Sequence, residues 1–238
     1  MFAGVNIGLM VSSGSSKRAY HHGNLRNALI AAAAELAAQG GPASVTIRAA
    51  ARLVGVTPTA AYRHFTNQEE LLGAAKDAAL HELTEAMHKE LAARPQSEDP
   101  IRYALGSLAA LGRGYIAFAR AQPGLFRTVF AWEGPLAGDP GLRAREQSDP
   151  FQLLLDSLDE LVAVGYLSVE RRPLAEVAAW AVVHGLAALL DGPLRDLPAD
   201  VREEAVVKAM LILGHGLSGN GLTPEQEALL ADEMKTVT

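Results

Sequence analysis

Apolar side chains recur at the spacing of an α-helix along almost the whole chain from Asn24 onward. The first stripe follows the pattern i, i+3, i+4, i+7, which places its members on one helix face; they are Leu25, Ala28, Leu29, Ala32 and Leu36. Glycine and proline end such segments, as at Gly40-Gly41-Pro42. No convincing strand pattern and no internal repeat is found. The sequence therefore predicts an all-α protein.

Capping residues set the predicted helix boundaries. Asn24, Thr46, Thr57 and Asn67 each precede an amphipathic segment and can accept a hydrogen bond from its first turn. Glu70 follows Asn67 at the spacing of a capping box. The predicted helices run from Asn24 to Gly40, Thr46 to Gly55, Thr57 to Phe65, Asn67 to about Arg94, Ile101 to Ala121, Gly124 to Trp132, Phe151 to Gly165, Leu174 to Leu190, Val201 to Gly214 and Thr223 to Met234, with a loop from Gly134 to Gly141.

Composition excludes several classes of protein. The 238 residues include no cysteine, which excludes disulfide frameworks, thiolate zinc fingers, iron–sulfur clusters and cysteine nucleophiles. No run reaches the roughly 18 apolar residues that a membrane-spanning helix needs. The longest candidate, Val177 to Leu190, is interrupted by His184 and Gly185. We therefore expect a soluble, cytoplasmic protein with no membrane partner, no metal and no cofactor.

Residues 1–16 are expected to form a disordered arm. Their apolar stretch, Val5 to Val11, lacks the basic start and the small-residue cleavage site of a signal peptide. An extension upstream of a start at Met10 would explain the same residues, and both interpretations stay open.

Charge is distributed unevenly along the chain. Residues 1–66 contain six basic residues and one acidic residue, whereas the remainder contains 15 basic and 26 acidic residues. A basic head on an acidic body is the layout expected when only one part of a protein meets a polyanion. Small imbalances of this kind are also common, so charge alone only slightly favours a nucleic-acid partner.

The segment from Thr46 to Phe65 carries the strongest functional signal. Two short amphipathic helices are joined there, and Gly55 can supply the positive φ that a tight turn between them requires. Val56 can pack between the helices, Thr57 caps the second helix, and Pro58 occupies its favoured first position. These features specify a helix-turn-helix over residues 46–65, whose second helix enters the major groove of DNA with its N-terminus first.

The outer face predicted for this second helix suits contact with DNA. Small side chains can approach base edges, polar and basic ones can reach phosphates, and basic residues outside the helix add salt-sensitive attraction. The candidates are Thr59 and Ala60 for base edges, Tyr62, Arg63 and His64 for phosphates, and Arg48, Lys17 and Arg18 for backbone attraction. Short helices joined by a glycine turn also occur in enzymes and bundles, but the coincidence with the basic head favours DNA.

Two stretches of the head resemble the DNA-binding domain of the tetracycline-repressor (TetR) family. They read YHHGNLRNALIAAAAELAAQGG and SVTIRAAARLVGVTPTAAYRHFTNQEELLGAA. The matching features are the Tyr62-x-His64-Phe65 ending and the Glu70-Leu71-Leu72 start of the next helix. In the body, PGLFRTVF and WAVVHGLAALLDG resemble the ligand-binding domain of the family branch with a Trp…His-Gly motif. The resemblance extends over roughly residues 17–214.

This resemblance implies a homodimer that binds a palindromic operator and usually represses transcription until a small-molecule effector binds. After the arm (1–16), it implies a three-helix DNA-binding domain (17–75) and a larger helical-bundle domain for ligand binding and dimerisation (76–238). The DNA contacts carried over by position are Arg48, Thr57, Pro58, Thr59, Ala60, Tyr62 and His64, to which we add Thr46. One departure is Gln68, where many relatives have lysine near a phosphate.

The helices of the body supply the predicted dimer interface. We expect Phe151–Gly165 to form a four-helix arrangement with its copy, together with one of the last two long helices, of which Val201–Gly214 is favoured. The apolar segment from Leu174 to Leu190 would lie in the core next to this interface. The two recognition helices would then lie about 34–36 Å apart, one turn of B-DNA.

His184 is unusual because it lies in an apolar segment. A hydrogen-bonded core histidine is the favoured interpretation, and a polar contact in a ligand pocket is the alternative. Aromatic residues at helical spacing are core by default, and only their position in the family makes them pocket candidates. Together with His184, the candidate pocket residues are Phe118, Phe126, Phe130, Trp132 and Trp180.

Other signals are weaker. His81, Glu85 and His88 share one helix face and imitate half of a di-iron site, but the chain has no second Glu-x-x-His, so a solvated face is expected. No catalytic constellation is evident. Two alternatives to a regulator remain: an all-α enzyme with a borrowed DNA-binding head, and a DNA-binding protein without sequence preference.

Overall fold

The structure is a computed structural model that describes residues 22–131 and 149–219, together with residues 223 and 226. Helices make up almost all of this part of the chain, and no strand occurs in it. The α-helices are α1 His22–Gly40, α2 Ile47–Val54, α3 Pro58–Ala61, α4 Gln68–Ala93, α5 Pro100–Ala121, α6 Pro123–Val129, α7 Asp149–Ala163, α8 Ala175–Asp191 and α9 Ala199–Ser218. The predicted all-α class is confirmed.

Local capping explains where α2, α3 and α4 begin. Thr46 Oγ1 accepts a hydrogen bond from the Ala49 N–H at 3.1 Å, and Asn67 Oδ1 accepts one from the Glu70 N–H at 2.8 Å. The predicted capping box is wrong in its second half. The Glu70 carboxylate accepts from the N–H and hydroxyl of Thr66 instead of the Asn67 N–H, and these bonds hold its pKa below the usual range.

Several predicted boundaries are wrong. The third helix ends at Ala61 and not at Phe65, because residues 62–64 continue as a turn, and the sixth ends at Val129, before Trp132.

The first helix begins at His22, so Asn24 lies inside its first turn and does not cap it; helical backbone costs asparagine less than about 0.7 kcal/mol relative to alanine, too little to force the helix to start there. The last described helix continues past Gly214 to Ser218. A glycine inside a helix costs only about 1 kcal/mol relative to alanine, and burial of Leu217 in the next turn offsets that cost. Gly219 ends the helix in the left-handed conformation.

A continuous apolar core joins the first three helices to the rest of the molecule. Phe65 and Leu29 are fully buried in it, and so are Leu71 and Leu83 of α4. The same cluster extends to Phe126 of α6 and to α8. Because α4 packs against both α1 and α5, it connects the N-terminal helices directly to the larger bundle.

Some predictions fall outside the described residues. They concern the arm 1–16, the loop 134–141, Trp132 and nearly all of the helix predicted over 223–234. Within the ranges described, no helix is both long enough and apolar enough to cross a membrane.

Candidate functional site

The turn between α2 and α3 has the geometry that its sequence predicts. Gly55 adopts φ 76° and ψ 30°, and its N–H bonds to carbonyls of the last turn of α2. Thr57 Oγ1 accepts from the Ala60 N–H at 3.3 Å, and Pro58 is the first residue of α3. Such a turn aims the N-terminal end of α3 away from the core, because Ala61 and Phe65 anchor the other face of the segment.

The side chains predicted to contact DNA lie on the outer face of this segment. Tyr62 is 48% exposed although it is a large aromatic residue. The other exposed candidates are Arg48, Thr57, Pro58, Thr59 and Arg63, while Thr46, Ala60 and His64 are partly buried. Gln68 is exposed at the start of α4. Lys17 and Arg18 lie outside the described residues. A basic, polar and aromatic surface thus surrounds one exposed helix end.

A cavity of about 560 Å³ lies in the helical bundle. Helices α4 to α9 all contribute to its walls, and nearly all of the lining side chains are apolar. Its volume falls within the usual range of about 300–1,000 Å³ for small-molecule sites. The cavity reaches the surface beside Val177 and Ala181 of α8, which line it and are exposed.

Three polar side chains meet at the wall of this cavity. Tyr115 Oη lies 2.8 Å from His184 Nδ1, and the Trp180 indole N–H donates to Tyr115 Oη at 3.3 Å. Phe126 and Phe130 pack on the imidazole of His184, with ring centroids 5.4 and 4.6 Å away. Burial raises the pKa of the Tyr115 phenol, which keeps that group protonated near neutral pH.

Two domain families match the chain. Residues 29–75 match the family described as bacterial regulatory proteins, tetR family, and residues 108–212 match the tetracyclin repressor-like C-terminal domain. The two regions together cover more than half of the chain. The chain belongs to the TetR family. It is therefore a ligand-responsive, DNA-binding transcriptional regulator, and its helix-turn-helix is the part of a TetR protein that contacts DNA.

Solved structures of other proteins share this fold. A protein of unknown function from Rhodococcus sp. RHA1 has a TM-score of 0.68 and 26% identity, over 85% of this chain and 100% of that chain. A TetR family regulator from Marinobacter aquaeolei VT8 has a TM-score of 0.57 and 19% identity, over 79% and 94%. FadR from Bacillus subtilis in complex with stearoyl-CoA has a TM-score of 0.58 and 16% identity, over 81% and 98%. No protein of curated function matches the chain in sequence.

The pocket candidates of this TetR protein separate into three groups. Phe130, Trp180 and His184 line the cavity. Phe126 packs behind them against Tyr115 and His184, and Phe118 is buried without being part of the lining. Trp132 lies outside the described residues. His184 has features of both interpretations, because it is hydrogen-bonded like a core histidine and also faces the cavity.

Sequence reasoning missed Tyr115, which holds the polar cluster together. It lies in the apolar stretch of α5 and is only 6% exposed. A tyrosine in such a stretch has a hydroxyl that needs a hydrogen-bond partner, and His184 is a polar group in another apolar helix. The sequence could have indicated Tyr115 through this signal: two isolated polar side chains in apolar helices, each in need of a hydrogen-bond partner.

The histidine-rich face of α4 has the arrangement predicted for a solvated surface. His81, Glu85 and His88 are all exposed. Within the part of the chain that the structure describes, no group of three or more possible metal ligands occurs.

His184 predicts a specific pH dependence of stability. Burial lowers its pKa below the ordinary value of 6.5. Between the pKa of His184 in the folded protein and its higher pKa in the unfolded chain, the unfolded chain binds more protons. The contribution of His184 to the free energy of unfolding is therefore fully present above about pH 6.5, and it is lost as the pH falls toward the folded-state pKa. The free energy of unfolding of the wild type, relative to His184→Gln, should therefore decrease from about pH 7.5 to 5.5. Urea unfolding at a series of pH values measures this difference. Parallel curves for the two proteins would contradict the assignment.

Proposed function

We propose that this regulator is a homodimeric repressor that binds a palindromic operator in the cytoplasm and is released by a small-molecule effector. Residues 17–75 would form its DNA-binding domain and residues 76–238 its ligand-binding and dimerisation domain. The observation that carries the proposal is the exposed N-terminal end of α3, held outward by buried Ala61 and Phe65. A short helix presented in this way fits the major groove of DNA.

Each candidate DNA residue has a role in this proposal. Thr59 and Ala60 would approach base edges, because they are small and stand at the leading end of α3. Positioning contacts to phosphates and sugars would come from the larger or basic side chains and from exposed groups at the turn; these residues are Thr46, Arg48, Thr57, Pro58, Tyr62, Arg63 and His64, with Lys17 and Arg18 of the arm.

The exposed apolar face of the last two described helices supports a dimer. Leu211 and Ile212 of α9 are 54% and 62% exposed, and Val177 and Leu189 of α8 are also exposed. Large exposed apolar side chains grouped on two helices that pack on each other are typical of an interaction surface. Among the described residues, α7 exposes no large apolar side chain. We therefore keep α9 in the predicted interface and propose α8 as its partner in place of Phe151–Gly165.

The effector would act through the cavity and α6. Val129 and Phe130, at the end of α6, line the cavity, while Gly124 at its start packs on the last turn of α1. Arg127 Nη1 lies 2.6 Å from Asp191 Oδ2 at the end of α8, and Lys76 of α4 donates to the Ala131 carbonyl. An effector that favours one arrangement of α6 would shift α1 and α4, and hence the spacing of the recognition helices. FadR holds stearoyl-CoA, and the apolar walls here suit a long apolar chain.

Removing the charge of Arg48 tests the DNA-binding surface. A phosphate contact contributes to every DNA sequence alike, so Arg48→Ala should weaken binding by roughly tenfold and reduce the dependence on log[salt] by about one unit. An operator selected from random DNA, and the same operator with one half-site scrambled, serve as targets in fluorescence anisotropy. Thr59→Ala, at a position assigned to a base edge, should weaken binding to the selected operator more than to scrambled DNA, whereas Tyr62→Ala, at a position assigned to a phosphate, should weaken both alike.

Lys89→Ala is the matched control, because it removes one positive charge from an exposed site on α4, far along the chain from the motif. It should leave both affinity and salt dependence unchanged. Equal losses in Arg48→Ala and Lys89→Ala would contradict the proposed surface. Equal affinity for operator and random DNA would favour the non-specific binder, and equal affinity for whole and half operators would contradict the dimer.

The enzyme alternative has less support. Among the described residues that line the cavity, Tyr115 and His184 are the titratable groups, and they bond to each other. Catalysis needs ionisable groups that converge on a substrate with suitable pKa values. Burial raises the pKa of the phenol and lowers that of the imidazole, and no further titratable side chain of the described lining converges on them.

A further inference from the structure

The hydrogen bonds around Tyr115 determine which nitrogen of His184 carries its proton. An indole N–H can only donate, so Trp180 uses one lone pair of Tyr115 Oη. The single phenol proton then needs an acceptor, and His184 Nδ1 lies 2.8 Å away. If Nδ1 carried the proton, the phenol O–H would be left without an acceptor in a buried site. The arrangement that pairs every group has Nδ1 as acceptor and the proton on Nε2.

The Nε2 donor of His184 remains available to a ligand. Within the described ranges Nε2 has no hydrogen-bond partner, yet it is not one of the fully buried unpaired atoms, which are in Arg94, Ser157 and Arg202. Since His184 is half-buried and lines the cavity, we take the accessible Nε2 to face it. The cavity wall thus presents one oriented N–H donor.

The remaining lining gives a further restriction on the ligand. Among the described lining residues none is Lys, Arg, Asp or Glu, and leucine, methionine, valine and aromatic side chains predominate. A carboxylate would lose its hydration there without meeting a cation, which is costly. An uncharged hydrogen-bond acceptor loses much less hydration free energy than a carboxylate, and it can accept a hydrogen bond from the Nε2 N–H.

We infer that the cavity binds an uncharged, largely apolar molecule with one carbonyl oxygen, such as a ketone or ester, and that this oxygen accepts a hydrogen bond from His184 Nε2. Tyr115 and Trp180 are positioning residues, since they fix the tautomer without touching the ligand oxygen. The inference rests on the proposed function only in taking the bound molecule to be the effector that releases the operator. The same carbonyl could arrive as a free molecule or as the thioester of a large carrier.

Displacement of a fluorescent probe tests the ligand class with the full-length protein. N-phenylnaphthylamine is uncharged and has no carbonyl, so it should bind wild type and His184→Phe alike and report that the cavity is intact. Methyl nonyl ketone should displace it from wild type, and its affinity should be roughly tenfold lower in His184→Phe, which lacks the donor. Undecanoate, of similar length but charged, should bind wild type at least about tenfold more weakly than the ketone.

Two further variants keep the result interpretable. His184→Gln can offer an amide N–H near the position of Nε2 and should recover part of the ketone affinity. Tyr115→Phe leaves His184 in place but removes the hydrogen bond that selects its tautomer. The imidazole ¹⁵N shifts should therefore change from those of the Nε2–H form in wild type to those of a mixture of tautomers.

Undecanoyl-coenzyme A, compared with the ketone, shows whether the carbonyl arrives on a carrier.

Several outcomes would overturn the inference. They are equal ketone affinity in wild type and His184→Phe, undecanoate binding as tightly as the ketone, an Nδ1–H tautomer in wild type, or no binding of the probe at all. Operator binding without ligand is measured separately. If the protein does not bind the operator, the proposed function is overturned but the inferred ligand class is not. If it binds the operator normally but shows no preference for the ketone, the ligand class is overturned and the proposed function is not.

Discussion

Phe65→Ala should lower the free energy of unfolding by about 3–5 kcal/mol, the usual cost of truncating a buried aromatic residue. Phe65 is fully buried and belongs to the core that joins α1 and α4. The Arg26 guanidinium also lies over its ring, 4.8 Å from the centroid. Removing the ring would leave a cavity under α3 and take away the anchor that holds its exposed end outward. Operator binding should fall together with stability.

Urea unfolding monitored by circular dichroism, at fixed protein concentration, measures the loss in Phe65→Ala. Phe65→Leu is the matched control, since it keeps most of the apolar volume and should cost less than about 1.5 kcal/mol. Stabilities that differ by less than 1 kcal/mol between the Phe65→Ala and Phe65→Leu variants would contradict the anchoring role. Operator affinity that is fully retained in a destabilised Phe65→Ala would show that α3 does not depend on this anchor.

The helix-turn-helix could be predicted because its determinants are local. Thr46, Gly55, Thr57 and Pro58 act through backbone groups within three or four residues, so their effects can be read from neighbouring positions. The structure confirms the predicted bounds of α2 and the start of α3. At Glu70 the same reasoning predicted the wrong N–H partner, because Thr66 offers both a hydroxyl and an N–H to the carboxylate.

The cavity could not be predicted in the same way, because residues far apart in sequence form it. Tyr115 and His184 are separated by 69 positions, and no local pattern links them.

The dimer face raises a related problem. Apolar periodicity marks the faces of a helix that avoid water, but it does not tell whether another part of the chain or a second copy covers them. Exposed Leu211 and Ile212 became recognisable only when the packing of the bundle was known.

Gly124→Ala should destabilise the protein by roughly 2–3 kcal/mol, although it adds a single methyl group. A Cβ at Gly124 would lie less than 3.0 Å from the backbone carbonyl oxygens of Ala37 and Ala38 in α1. These are main-chain atoms of a helix and cannot rotate away as a side chain can, so α6 would have to move away from α1. Thermal or urea unfolding of the variant measures the cost.

Gly106→Ala in α5 provides a control of opposite sign. A Cβ at Gly106 would meet nothing within 4 Å, so this change should stabilise the protein by about 0.5–1 kcal/mol through helix propensity. The comparison also tests coupling, because α6 connects the cavity wall to α1. If α6 transmits the effector signal, Gly124→Ala should change the effector concentration that releases the operator, and Gly106→Ala should not. Equal responses in both variants would contradict transmission through α6.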